Sequence, residues 1–200
     1  MKIKMSFPIL LALVLLLAAC TNDNSGKKDS ALNDSLNVKD SLAKSPISKE
    51  EENKVVGNIE FGISEKQFEQ DLAKFKGTLE HNEFQTIYGI GSYMVSSFAG
   101  SFNNDSLYKL TMLGDLIPKE RYKEELLPQV NELKESMVKT YGQPQSGQGA
   151  PDMQHTTKGY SYKAYSWVIG DKTIDIKVAN RGIYFSCDLI IYQPKTEQSR

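Results

Sequence analysis

The sequence predicts an α+β domain in which helices pack on one face of an antiparallel sheet. Two observations predict it. Two segments carry an apolar stripe at helical spacing: Phe68, Leu72 and Phe75, and then Tyr122, Leu126, Val130, Leu133, Met137 and Tyr141. Each stripe is followed by three segments rich in strand-forming residues and separated by tight-turn residues. The order read from the chain is helix plus three strands, twice, within a single domain spanning residues 55–193.

The body opens with a short apolar segment from Val55 to Phe61. Ser64 with Gln67 three residues later reads as a capping box starting the first helix, and Gly77 stops it. Strands are expected over Phe84–Ile90, Tyr93–Phe102 and Leu107–Leu113, with turns at Gly91-Ser92 and Asn103-Asn104-Asp105. The second helix is expected from near Pro118 to Tyr141. Pro128 lies inside it, which predicts a kink or a break with Pro128 restarting the helix. Gly142 and Pro144 end it. Residues 142–159 form a long loop rich in Gly, Gln and Pro.

Three strands close the body: Tyr160–Ile169, Lys172–Ala179 and Ile183–Tyr192. Gly170-Asp171 is a tight-hairpin signal and Asn180-Arg181-Gly182 suits a bulged turn. Ile174, Ile176 and Val178 face one way, and Thr173, Asp175 and Lys177 the other. Ile183, Phe185, Cys187, Leu189 and Ile191 share the apolar face of the last strand. Such alternation fits a sheet covered on one side.

Ahead of the body, Lys2 and Lys4 precede an apolar run from Phe7 to Leu17, and Leu17-Ala18-Ala19-Cys20 follows. The run is too short for a transmembrane helix. A basic start, a short apolar stretch and small residues describe a secretory leader. With Cys20 it resembles a bacterial lipoprotein signal with a lipobox. The resemblance implies cleavage of residues 1–19 and acylation of Cys20, which anchors the chain to a membrane. Thr21 in place of Asp implies the outer membrane of the cell envelope.

Residues 20–54 read as a lipidated, disordered tether, rich in Ser, Asn, Asp and Lys and free of aromatics. At random-coil scaling it spans about 30 Å. Residues 194–200 read as a disordered tail. The tether repeats Asp-Ser-aliphatic at Asp29-Ser30-Ala31, Asp34-Ser35-Leu36 and Asp40-Ser41-Leu42, and Asp105-Ser106-Leu107 is a fourth copy in the body. The triplet resembles the acceptor of a general O-glycosylation system of some Gram-negative envelopes, which implies sugar on Ser30, Ser35 and Ser41. A low-complexity repeat that no enzyme reads gives the same pattern. For Ser106, at the start of a strand, the second explanation is favoured.

Charge narrows the partners. The chain has 24 Lys+Arg against 25 Asp+Glu; losing Lys2 and Lys4 with the leader leaves 22 against 25, or −3. That balance argues against nucleic acid and against broad attraction to anionic lipid. Cys187 is the one thiol left once Cys20 is acylated, so the fold relies on its core.

The sequence offers little chemistry. Gly89-Ile90-Gly91-Ser92 is neither a nucleophile elbow nor a phosphate loop, and reads as a hairpin turn. His81-Asn82-Glu83 and Asp152 with His155 lack metal-ligand spacing. Cys187 falls on an apolar strand face and reads as a structural thiol. Asp171, Asp175 and Asp188 are expected on the solvent face, although paired carboxylates could serve glycoside hydrolysis. No catalytic residue, metal or cofactor is expected. The candidate binding surface is Tyr160, Tyr162, Tyr184 and Tyr192, whose rings would offer contact area to a protein or glycan. The 142–159 loop is a second candidate.

The repeated helix-plus-strands order, Phe61-Gly62-Ile63-Ser64 before the first helix and Lys139-Thr140-Tyr141-Gly142-Gln143-Pro144 after the second resemble the two-repeat β-lactamase-inhibitor-like proteins. They also resemble the small lipoprotein of the barrel-assembly machinery. The lipoprotein-like leader and the lack of a catalytic motif lead to a non-catalytic envelope protein that binds a protein partner or supports an assembly. The alternatives are an inhibitor or binder of an exogenous enzyme, which the two-repeat resemblance implies, and a glycan hydrolase.

Overall fold

The computed structural model describes residues 48–82 and 87–194. The leader, Cys20, Ser30, Ser35, Ser41 and the last six residues lie outside them. The first element starts earlier than Val55, where the sequence puts the edge of the body. Helix α1, Lys49–Asn53, is capped by Ser48, whose Oγ accepts from the Glu51 N–H at 3.2 Å. Strands β1 (Lys54–Val56) and β2 (Ile59–Glu60) then form a hairpin that buries Val55 and Ile59.

Helix α2 runs from Glu65 to Lys76, and Ser64 accepts from the Gln67 N–H at 3.2 Å. Half of the capping box forms: the Gln67 amide donates to Asp71 instead of reaching back. Asp105 satisfies a different donor of the first turn from a distance, accepting from the Glu65 N–H at 2.9 Å. Phe68 and Leu72 are buried, as the stripe requires.

After α2 the chain makes β3 (Glu80–Asn82), β4 (Ile87–Ile90), β5 (Tyr93–Asn103) and β6 (Ser106–Gly114), one strand more than the sequence predicts. The β5–β6 turn has positive φ at both Asn104 and Asp105, the geometry that matches strand twist in a two-residue hairpin. The short β7, Ile117–Pro118, precedes the second helical region.

That region is three pieces in series. A 3₁₀ turn (Lys119–Arg121) leads into a π-helical turn (Tyr122–Leu126), and α3 follows from Leu127 to Tyr141. Pro128 sits in the first turn of α3, where its missing N–H costs nothing. The widened turn ahead of it keeps Tyr122, Leu126, Val130 and Leu133 buried on one line. Finally β8 (Ser161–Ile169), β9 (Lys172–Asn180) and β10 (Tyr184–Tyr192) lie within one residue of the predicted strands.

The main sheet is antiparallel throughout, in the order β3-β4-β5-β6-β10-β9-β8, with β7 paired to the start of β10. Residues opposite each other share a face. Leu110, Ile191 and Ile174 form one cross-strand row, and Met112, Leu189 and Ile176 the next. Both rows are buried under α2 and α3. Aromatic edges tie α2 to the sheet through Phe68–Phe102 and Phe75–Phe98. The architecture is a mixed α+β fold dominated by sheet.

Candidate functional site

Four of the exposed large apolar side chains gather at one end of the sheet: Tyr160 and Ile183, each 64 % exposed, Leu116 at 48 % and Tyr184 at 38 %. Strand pairing brings them there. Tyr184 sits opposite Pro118 on β7, and the Lys119 N–H donates to the Ile183 carbonyl at 3.0 Å. The Asn180 N–H donates to the Tyr160 carbonyl at 2.9 Å, so Tyr160 flanks the β9–β10 turn from the other side.

The turn itself is held firmly. Asn180 Oδ1 accepts from the Gly182 N–H at 2.8 Å, and its Nδ2 donates to Thr156 Oγ1 at 2.8 Å. The Arg181 N–H donates to the Tyr184 carbonyl. Gly182 has φ of +97°, a conformation that other residues adopt only under strain. The stem of Lys158 lies over it.

Beneath the turn, Arg181 Nε donates to Ser186 Oγ at 3.0 Å and its Nη2 to Asp188 Oδ2 at 3.2 Å. Asp188 also accepts from the Gly114 N–H. Burial raises the Asp188 pKa above the ordinary carboxylate value, and the Ser186, Arg181 and Gly114 contacts oppose that rise. A hollow of about 360 Å³ opens here, lined by Lys158, Tyr160, Asn180, Arg181 and Asp188. A larger one, about 550 Å³, lies across Lys119 between Tyr122 and the 150–154 segment. The Tyr122 hydroxyl donates to the Pro151 carbonyl at 2.6 Å and pins that segment; burial pushes the Tyr122 pKa up to about 12.

The four predicted tyrosines do not form one surface. Tyr160 and Tyr184 both lie at the β9–β10 turn end of the sheet, one just ahead of β8 and the other at the start of β10. Tyr162 pairs with Val178 on the helix-covered side, and its hydroxyl accepts from the Thr157 N–H at 2.6 Å. Tyr192, eight residues along β10 from Tyr184, approaches Asp175 at 3.4 Å. Ile183 is a correction to the sequence reading: expected on the apolar face with Phe185, it stands exposed just ahead of β10, and Leu116 lies in the short link between β6 and β7, where no period marks it.

Asp175 and Asp188 are a correction to the sequence reading. Both are buried, at 1 % and 5 % exposure. Asp175 accepts from Ser166 Oγ at 2.6 Å, and Lys163 and Lys177 lie 3.3 and 3.8 Å from it. The two carboxylates sit in different cross-strand rows, Asp175 opposite Ile190 and Asp188 opposite Lys177, and each has its own cations. Neither is arranged as an acid beside a base. Cys187 is wholly buried, and burial raises its pKa well above the usual thiol value, so it is no nucleophile. Asp152 and His155 approach to 3.7 Å on the surface, and His81 lies in β3. Among the described residues no group of three His, Cys, Asp or Glu could hold a metal, and no helix is long and apolar enough to cross a membrane.

A second surface feature is an apolar groove of about 390 Å³ between α2 and α3, with Phe75, Leu79, Met112, Leu133, Met137 and Leu189 among its lining. Comparison with models of known families, with curated proteins and with solved structures finds no match.

Proposed function

We propose that this protein is a lipid-anchored envelope protein whose body is a non-catalytic module for binding another envelope protein, and that the sheet end around Ile183 is the contact. In this reading residues 1–19 are removed, Cys20 is acylated, and the tether holds the body away from the outer membrane. Sugar on Ser30, Ser35 and Ser41 would protect it from proteolysis. Two units, α2 with β3–β6 and α3 with β8–β10, joined through the β6–β10 pairing, would make up most of the sheet.

The observation that carries the reading is the group of exposed side chains Leu116, Tyr160, Ile183 and Tyr184 around a turn fixed by side-chain hydrogen bonds. Scattered exposed apolar residues need no explanation, but a preorganised group of aromatic and aliphatic anchors beside cations is the composition of a binding centre. A long extended segment also separates it from the membrane-proximal start of the body. The chain joins the body beside Gly170, where the Glu52 carboxylate lies, while Ile183 is at the other end of β9. At about 3.4 Å per residue, nine residues put the two ends about 27 Å apart.

The test is a pull-down from detergent-solubilised envelopes with the acylated chain and a Cys20→Ala control, read by mass spectrometry. A stoichiometric envelope protein is expected with the acylated chain, and Cys20→Ala should leave the membrane fraction. An empty pull-down with folded protein would overturn the partner reading. Retention of Cys20→Ala in membranes would overturn the anchor.

A further inference from the structure

The hollow beside the apolar tip has a chemistry of its own. Arg181 uses Nε for Ser186 and one Nη2 hydrogen for Asp188. A guanidinium has five N–H donors, so donors are left to face the hollow that Arg181 lines. Its position is not left to chance: the backbone is locked by Asn180 and Tyr184, and the side chain is pinned by a hydroxyl and a buried carboxylate. Lys158 lines the same hollow, its stem packed over Gly182, and it has no carboxylate partner among the described residues.

An oriented guanidinium with spare donors and an unpaired ammonium beside it favour a planar anion. Arg binds carboxylates through two parallel N–H···O bonds, and the arrangement is held ready before the ligand arrives. Asp188 offsets the charge of Arg181 but uses only one of its N–H groups, so the socket keeps spare Arg181 donors and the net positive charge of Lys158. Apolar groups adjoin the socket: Tyr160 lines it, and Ile183 and Tyr184 stand on the neighbouring turn.

We infer that Arg181 and Lys158 form a socket for a carboxylate carried by a peptide segment of the partner, next to an apolar side chain that packs on Tyr160 and Ile183. The inference rests on the sheet end being the partner contact, and it names the chemistry of what is recognised there. The segment is an acidic residue, or a free C-terminus, flanked by an apolar residue. In this way a nearly neutral chain favours an acidic segment: the Lys158 charge and the spare Arg181 donors act at short range, without a basic field over the whole surface.

The experiment pans a phage library of random peptides on the detergent-solubilised full chain, on Arg181→Gln/Lys158→Gln, and on Ile183→Ser/Tyr184→Ser. Flotation with vesicles of phosphatidylcholine and phosphatidylglycerol in equal amounts runs beside it. The wild type should enrich peptides with Asp or Glu next to an apolar residue. Arg181→Gln/Lys158→Gln should lower capture of those peptides by about tenfold or more, as expected for loss of a charge-assisted pair, while apolar peptides still bind. Ile183→Ser/Tyr184→Ser should lose both. Enrichment of apolar peptides with no acidic preference would overturn the socket and leave the tip standing as a contact. Vesicle binding that depends on Arg181, without peptide enrichment, would assign the socket to lipid headgroups and overturn the peptide. No enrichment of any kind by folded wild type would overturn the socket and the tip together.

Discussion

At the Gly170 end of the sheet a lysine is wholly buried, whereas at the Gly182 end Ile183 and Tyr160 stand in solvent. Lys172 Nζ donates to the carbonyls of Glu51 and Lys54 and approaches the Tyr141 hydroxyl and the Glu51 carboxylate. Tyr141 donates to that carboxylate at 2.8 Å. A charge is buried there only because it is fully partnered. It fastens α1, which buries no residue of its own, to the hairpin. At the other end the polar groups serve the turn and the apolar ones are left over. One end spends its contacts on holding the chain, and the other presents a rigid, partly apolar surface. The difference teaches where to look for function: a set of apolar anchors that stabilises nothing in the fold is free to stabilise a complex.

Substitutions sort by that contrast. Between the ends, Ile176→Asp puts an unpaired charge into the core and should abolish the cooperative urea transition, an effect above about 4 kcal/mol. Gly114→Ala comes next, because a Cβ there would lie 2.1 Å from the Cys187 carbonyl oxygen. About 3 kcal/mol should be lost, measured from the urea midpoint. Lys172→Met strips buried carbonyls of their donor and should cost about 2 kcal/mol. Hydrogen exchange should show lost protection over residues 49–56 and little change at 180–184. If the protection loss spread evenly over the sheet, Lys172 would not be a local fastening.

A smaller effect separates the ends by pH. Asp188 at the tip end has a folded pKa raised by burial, so the folded state holds its proton to higher pH than the unfolded chain does. Its contribution to stability is full below the ordinary carboxylate pKa and is lost as pH rises through the raised value. Melting curves of the wild type relative to Asp188→Asn should therefore improve as pH falls through that window. The opposite slope would mean that Arg181 dominates over burial. Smallest of all, Ile183→Ser should change stability by no more than about 0.5 kcal/mol, since it removes exposed surface.

Much of this fold was legible because its period is plain. The last three strands, their turns and the Tyr122–Tyr141 stripe follow from alternation and spacing. The π-helical turn was not, since Pro128 announces a break without saying how the chain wraps before it. Nor was α1: Lys49-Glu50-Glu51-Glu52 has the composition of a solvated linker, and its fastening comes from Lys172, over a hundred residues away. Asp175 and Asp188 read as solvent-facing from alternation alone, and Lys172, which shares the parity of Ile174 and Ile176, shows no sign of the partners that let it be buried. Partners on neighbouring strands and on α1 bury them, and no local pattern encodes those partners. At the site, Tyr160 and Tyr184 were visible as surface aromatics. Arg181 and Lys158 meet through a turn and a loop 23 positions apart, which sequence spacing does not reveal.

The most direct test of the binding end is to compare Ile183→Ser/Tyr184→Ser with Lys172→Met in the envelope pull-down, at a temperature where all are folded. The account predicts that the tip variant loses the captured partner while keeping wild-type stability, and that Lys172→Met keeps the partner despite its lower stability. A tip variant that captures the partner as well as the wild type would contradict it.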